Sequence, residues 1–150
     1  MKLAGALILR ADIQKNIAQL REHLPLNAKV QEGDSPAENP EELMDTLAVR
    51  TAAFIELVQR INRTNAAPLA EGSRIADLLA ERDALTAQAK ILREFLKEAA
   101  SKTDLYSAKE IAISSTVNVA AKQKECDLLA KRIRELDTRI QGLNWTTELL

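Results

Sequence analysis

The chain has 150 residues, room for one hydrophobic core and a single domain over 1–150, and its 21 Lys and Arg nearly cancel 22 Asp and Glu. A formal charge of −1 removes the electrostatic case for nucleic acid or an anionic membrane as main partner, and an aromatic content of 3% removes stacking platforms for bases or sugars. One cysteine and one histidine exclude a disulfide framework, multi-cysteine metal cages, most catalytic zinc sites and paired Glu-x-x-His di-iron sites, so no metal and no cofactor is implied.

Only four glycines and four prolines occur among abundant Ala, Leu, Glu, Lys and Arg, which favours helix. Leu3, Ala6, Ile13, Ile17, Leu20 and Leu24, with Arg10 in line, recur at helical spacing and predict a first helix over about 1–24, stopped by Pro25. Its start, Met1-Lys2 followed by Leu3 to Leu9, imitates a secretory signal, but Arg10 and Asp12 cut the apolar run and no small-x-small cleavage site follows. No apolar run approaches the ~20 residues needed to cross a bilayer. The expected setting is therefore the cytoplasm.

Gly33, Asp34, Ser35 and Pro36 mark a long acidic loop before the second helix, predicted over about 40–62 with Asn39 as N-cap and Pro40 in the first turn. Its stripe is Leu43, Leu47, Arg50 or Thr51, Phe54, Val58 and Ile61. Asn62-Arg63-Thr64-Asn65, Pro68 and Gly72 then form the middle connection. The third helix, about 73–100 and capped by Ser73, carries Ile75, Leu78, Arg82, Leu85, Ala89, Leu92, Leu96 and Ala99. Ile111, Ile113, Ser115, Val117 and Val119 alternate in strand fashion before a fourth helix over about 118–143, with Gly142 as its stop.

Such heptad-like stripes must be buried against one another, and the expected fold is an all-α, antiparallel four-helix bundle. The first and third connections then emerge at one end, where Ala28–Gln31 and Glu110–Val117 are placed to form a small β pair. The middle connection, the N-terminus and the tail around Trp145 share the other end. A third helix roughly 40 Å long with a narrow stripe leaves apolar surface over, so the chain is expected to be a homo-oligomer.

Charge inside the stripes is the most informative chemical feature. Arg10 and Arg82 stand where leucines are expected, and Arg50 and Lys122 are weaker cases. A buried guanidinium needs a carboxylate, backbone carbonyls or a bound anion. One reading is a small anionic ligand, a phosphate or carboxylate, held by Arg10, Arg82 and Arg63. The other is pairing with Asp12, Asp45, Asp83 or Asp127, or a polar layer that fixes register. Asn62, Thr64 and Asn65 form a polar motif at a helix end that either caps the turn or assists Arg63. Cys126 lies on the fourth stripe between Glu125 and Asp127, acids that disfavour a thiolate, and reads as a core residue. His23, in the last turn of the first helix, complements the helix dipole. Trp145 either plugs the end of the bundle or anchors a subunit contact. Gly-rich phosphate loops, Gly-x-Ser-x-Gly elbows and EF-hand loops are missing from the sequence. The basic residues of the fourth helix alternate with acids, as on a solvated face. No catalytic residue is assigned.

Asn27-Ala28-Lys29-Val30-Gln31-Glu32-Gly33 with Pro36 and Pro40, then Ile61-Asn62-Arg63-Thr64-Asn65, and Leu136-Asp137-Thr138-Arg139-Ile140-Gln141 with Asn144-Trp145, run the length of the chain. In these motifs the sequence resembles a family of small bacterial helical proteins often labelled septicolysin. The resemblance implies a helical fold and, by its label, a membrane-active cytolysin. It brings no catalytic or cofactor residues with it. Thiol-activated cytolysins are far larger β-rich proteins with a signature rich in Cys and Trp, whereas Cys126 has no tryptophan near it. Three functions follow in order: a self-associating helical scaffold without catalysis, a protein or enzyme binding a small anionic ligand, and a cytolysin.

Overall fold

A computed structural model describes residues 1–101 and 113–150. The fold class is all-α. Four helices follow one another, α1 (Leu3–Leu26), α2 (Pro40–Ala66), α3 (Ile75–Ala100) and α4 (Val119–Thr146). They belong to two compact units, one of Met1–Ile75 with Gln141–Leu150, the other of Ala76–Ile140.

In the first unit α1 packs on α2. The side chains that meet are those the spacing selects, with Leu3, Ala6, Ile13 and Leu20 of α1 buried together with Leu57, Ile61 and Thr64 of α2. The N-terminus, the C-terminal tail and the end of α2 lie together. Leu3 N–H donates to the Thr147 carbonyl at 2.9 Å, Leu149 N–H to the Met1 carbonyl at 2.8 Å, and Leu150 N–H to the Thr64 hydroxyl at 3.0 Å. In the second unit α3 and α4 are joined by ion pairs from Glu81 to Arg132 and from Arg82 to Asp137. Leu78, Ala89 and Leu96 of α3 and Cys126, Leu136 and Ile140 of α4 are buried. These are the helix pairings that an up-down-up-down bundle requires.

Four boundaries differ from the spacing-based expectation, each for a local reason. Pro25 does not stop α1, which runs on to Leu26. Proline this close to a helix end removes a single backbone bond, and Asn27 N–H closes the turn on the Leu24 carbonyl at 3.2 Å. The Asn62–Asn65 motif is not loop but the last turn of α2, which ends when Pro68 forces Ala67 into extended geometry (φ −70°, ψ 141°). Ser73 lies before α3, in a tight turn. Gly72, at φ +86°, donates to the Leu69 carbonyl at 2.8 Å, and Leu69 N–H donates to the Ser73 carbonyl at 2.7 Å. Gly142 is passed without interruption, and α4 ends at Thr146, where Thr147 N–H caps the Leu143 carbonyl at 2.8 Å. The N-cap expected at Asn39 forms, and Asn118, expected only as the start of the fourth helix, supplies a second cap. Asn39 Oδ1 accepts from Glu41 N–H at 3.0 Å and Asn118 Oδ1 from Ala121 N–H at 3.0 Å.

The expected β pair does not form from the described residues. Ala28–Gln31 has no bridge partner, residues 113–117 are not in strand, and residues 110–112 lie outside the described part of the chain. The first connection is held instead by side chains of its own ends and by a turn in which Asp34 N–H donates to the Gln31 carbonyl at 3.0 Å. Among the described residues, the backbone bridges are isolated antiparallel ones, Lys2 with Glu148 and Pro68 with Arg74.

Candidate functional site

The three arginines singled out by the sequence meet different fates. Arg10, on α1 between the buried Ala6 and Ile13, is half-buried and has no ion-pair partner among the described residues. Arg63, in the last turn of α2, is exposed, and its backbone carbonyl accepts from Ala67 N–H at 3.0 Å. Both belong to the first unit. Arg82 belongs to the second, and its side chain is 29% exposed. Its Nη2 and Nε donate to Asp83 Oδ1 at 2.7 and 2.9 Å, and its Nη1 reaches Asp137 Oδ1 at 3.5 Å. The hydrogen bond from Asp83 raises the Arg82 pKa above its ordinary value, against the lowering effect of desolvation. This guanidinium has the carboxylates it needs, one of them the neighbour expected from sequence and the other brought by α4.

The polar motif divides in the same way. Asn62 is exposed, and Thr64 is 2% exposed. The Thr64 hydroxyl donates to the Arg60 carbonyl at 2.9 Å and accepts Leu150 N–H at 3.0 Å, and Arg60 Nε donates to the Leu150 carbonyl at 2.9 Å. The motif thus seats the tail. Asn65 Oδ1 is buried without a hydrogen-bond partner. Trp145 is 64% exposed and does not plug the end of the first unit.

A second polar cluster was not anticipated. Asn27, 6% exposed, donates from Nδ2 to the His23 carbonyl at 3.0 Å and accepts Glu38 N–H on Oδ1 at 2.9 Å. Glu38 Oε2 in turn lies 2.8 Å from His23 Nδ1. The partner of His23 is therefore a specific carboxylate as well as the helix dipole. The only sequence signal was an asparagine just past a helix end; its partner lies eleven residues on, across an irregular loop, where no periodicity points. At the other end of the unit, Glu148 bonds to Lys2 Nζ at 2.6 Å and to the Met1 amine at 3.2 Å. Those two contacts, that with Lys2 first, lower the Glu148 pKa below the usual carboxylate value.

Among the described residues, no three of His, Cys, Asp and Glu are grouped as metal ligands, and no helix is long and apolar enough to cross a membrane. Cys126 is free and buried.

No curated protein matches the sequence. The chain is similar to a functionally unknown conserved protein from Corynebacterium diphtheriae, whose crystal structure superposes with a TM-score of 0.89 at 42% identity, over 100% of this chain and 99% of that one. The model of a family of unknown function, DUF6847, matches residues 10–149. That match carries no cytolysin assignment, and the septicolysin label read from the sequence finds no support in it. On residues 10–149 and on this likeness, the chain belongs to the DUF6847 family of unknown function.

Proposed function

We propose that the protein is a helical scaffold of the cytoplasm that associates with copies of itself and performs no catalysis. The observation that carries the reading is the apolar surface left on the helices after their seams are buried. Ile91 on α3 and Leu128 on α4 are each 68% exposed, and Val49 on α2 is 67% exposed. Leaving large apolar side chains in water is unfavourable, at about 25 cal/mol per Å², and self-association is a common way to cover them. The side chains that could do chemistry have structural duties. Arg82 is held by Asp83 and Asp137, His23 faces Glu38, and Cys126 is in the core. A reduced, buried thiol suits the cytoplasm.

Native mass spectrometry of freshly purified protein tests this. Assemblies of two or more chains without added mass are expected at micromolar concentration. A bare monomer refutes self-association, and a retained small anion would turn the reading toward the ligand-binding alternative.

A further inference from the structure

Ala84, Gln88, Ile91 and Phe95 succeed one another on α3 at spacings of four, three and four residues. That spacing draws a second stripe along the helix, apart from the buried seam of Leu78, Ala89 and Leu96. Ile91 is 68% and Phe95 44% exposed, and the stripe lines an open cleft closed on one side by Glu125 of α4. Charge marks its two ends. At the start Glu81 is bound to Arg132 of α4, with Nη2 to Oε1 at 2.6 Å, and at the finish stands the exposed Glu98.

We propose that this stripe receives a second copy of the same chain, packed antiparallel about a two-fold axis between Ala89 and Lys90. The inference rests on the self-association reading above and gives it a place. A four-three-four spacing is the same read in either direction, as a two-fold interface demands. That axis sets Ala84 opposite the partner's Phe95, and Gln88 opposite the partner's Ile91. In the outer layers small Ala84 meets large Phe95, while Gln88 and Ile91, of similar size, meet across the two inner layers, a pairing of volumes that lets the helices approach without voids. The same axis carries Glu98 to the partner's Glu81–Arg132 pair at both ends, so that each guanidinium gains a second carboxylate. A parallel arrangement would stack Phe95 on Phe95, leave Ala84 facing Ala84, and set Glu98 against Glu98. Charge and volume both select the antiparallel form.

Sedimentation equilibrium on the full chain tests the pairing. Phe95→Ala opens a void and Ala84→Phe creates a clash, and each is expected to raise the dimer Kd about tenfold or more. Ala84→Phe combined with Phe95→Ala exchanges the two volumes and is expected to restore Kd to within about threefold of the original. Far-UV circular dichroism checks that each variant keeps its helices. Should a packing variant misfold, an equimolar mixture of Gln88→Cys chains and Ile91→Cys chains, each carrying one introduced thiol, offers a gentler measurement. A short bis-maleimide is expected to join them into covalent dimers, with the buried Cys126 out of reach, and failure to cross-link counts against the pairing. Association that neither single substitution weakens overturns the stripe while leaving self-association standing. Weakening without rescue in the double variant overturns the antiparallel register. A monomeric wild type overturns both this inference and the reading beneath it.

Discussion

At the scale of single residues, Asn27 shows how one amide organises a loop. Both halves of its side chain serve backbone groups, one from the last turn of α1 and one from the end of the loop before α2. Asn27→Ala leaves Glu38 N–H without its acceptor and the His23 carbonyl without its side-chain donor, at 6% exposure where water is scarce. A loss of about 1–3 kcal/mol in urea unfolding is expected. Were Asn27→Ala neutral, the amide would be an accessory and not the clasp of the loop. Arg82 gives the complementary lesson. Its half-buried position in a leucine register was legible as an anomaly, and Asp83 as one carboxylate was legible from adjacency. Asp137 was not, because the partner helix and its register decide which acid arrives.

At the scale of elements, the apolar periodicity placed all four helices and erred only at their ends. The errors share a cause. Proline and glycine act through one or two backbone bonds, and tertiary contacts outweigh so small a term. Pro25 loses against the packing of α1, and Gly142 against a helix that continues to Thr146. Thr64 explains why α2 reaches so far. It continues the buried series of Leu57 and Ile61, and its hydroxyl joins the α2 backbone to Leu150. Thr64→Val keeps the shape and removes both bonds, leaving a Leu150 N–H without its acceptor. A destabilisation of about 1–3 kcal/mol is expected, with faster hydrogen exchange at the Leu150 amide. Unchanged exchange there would mean the tail is seated by apolar contact alone.

At the scale of the whole molecule, the first unit is closed by its two chain ends. Glu148 meets the Met1 amine and Lys2, while Leu149 is 8% exposed. Because the folded-state pKa of Glu148 lies below its ordinary value of about 4.5, the contribution is present above that value and is lost as pH falls through the lower folded pKa. Acid titration of the melting temperature is therefore expected to be shallower in Glu148→Gln than in the parent below about pH 4.5. Parallel acid limbs in the two proteins would show that this pair does not hold the ends.

The amino-acid sequence by itself determined the helical class, the four apolar seams, the N-cap at Asn39, and the residues whose charge conflicts with their register. These are local quantities, since spacing of 3.6 residues per turn and capping chemistry act within a few positions. Tertiary structure alone decided the Asn27–Glu38 clasp, the seating of the tail on Thr64, the second carboxylate on Arg82 and the exposure of Ile91 and Leu128. Each of these joins residues distant in the chain, or depends on which side of a helix its neighbour occupies. A stripe read along one helix says that a surface is apolar; only the packed neighbours say whether it is already covered.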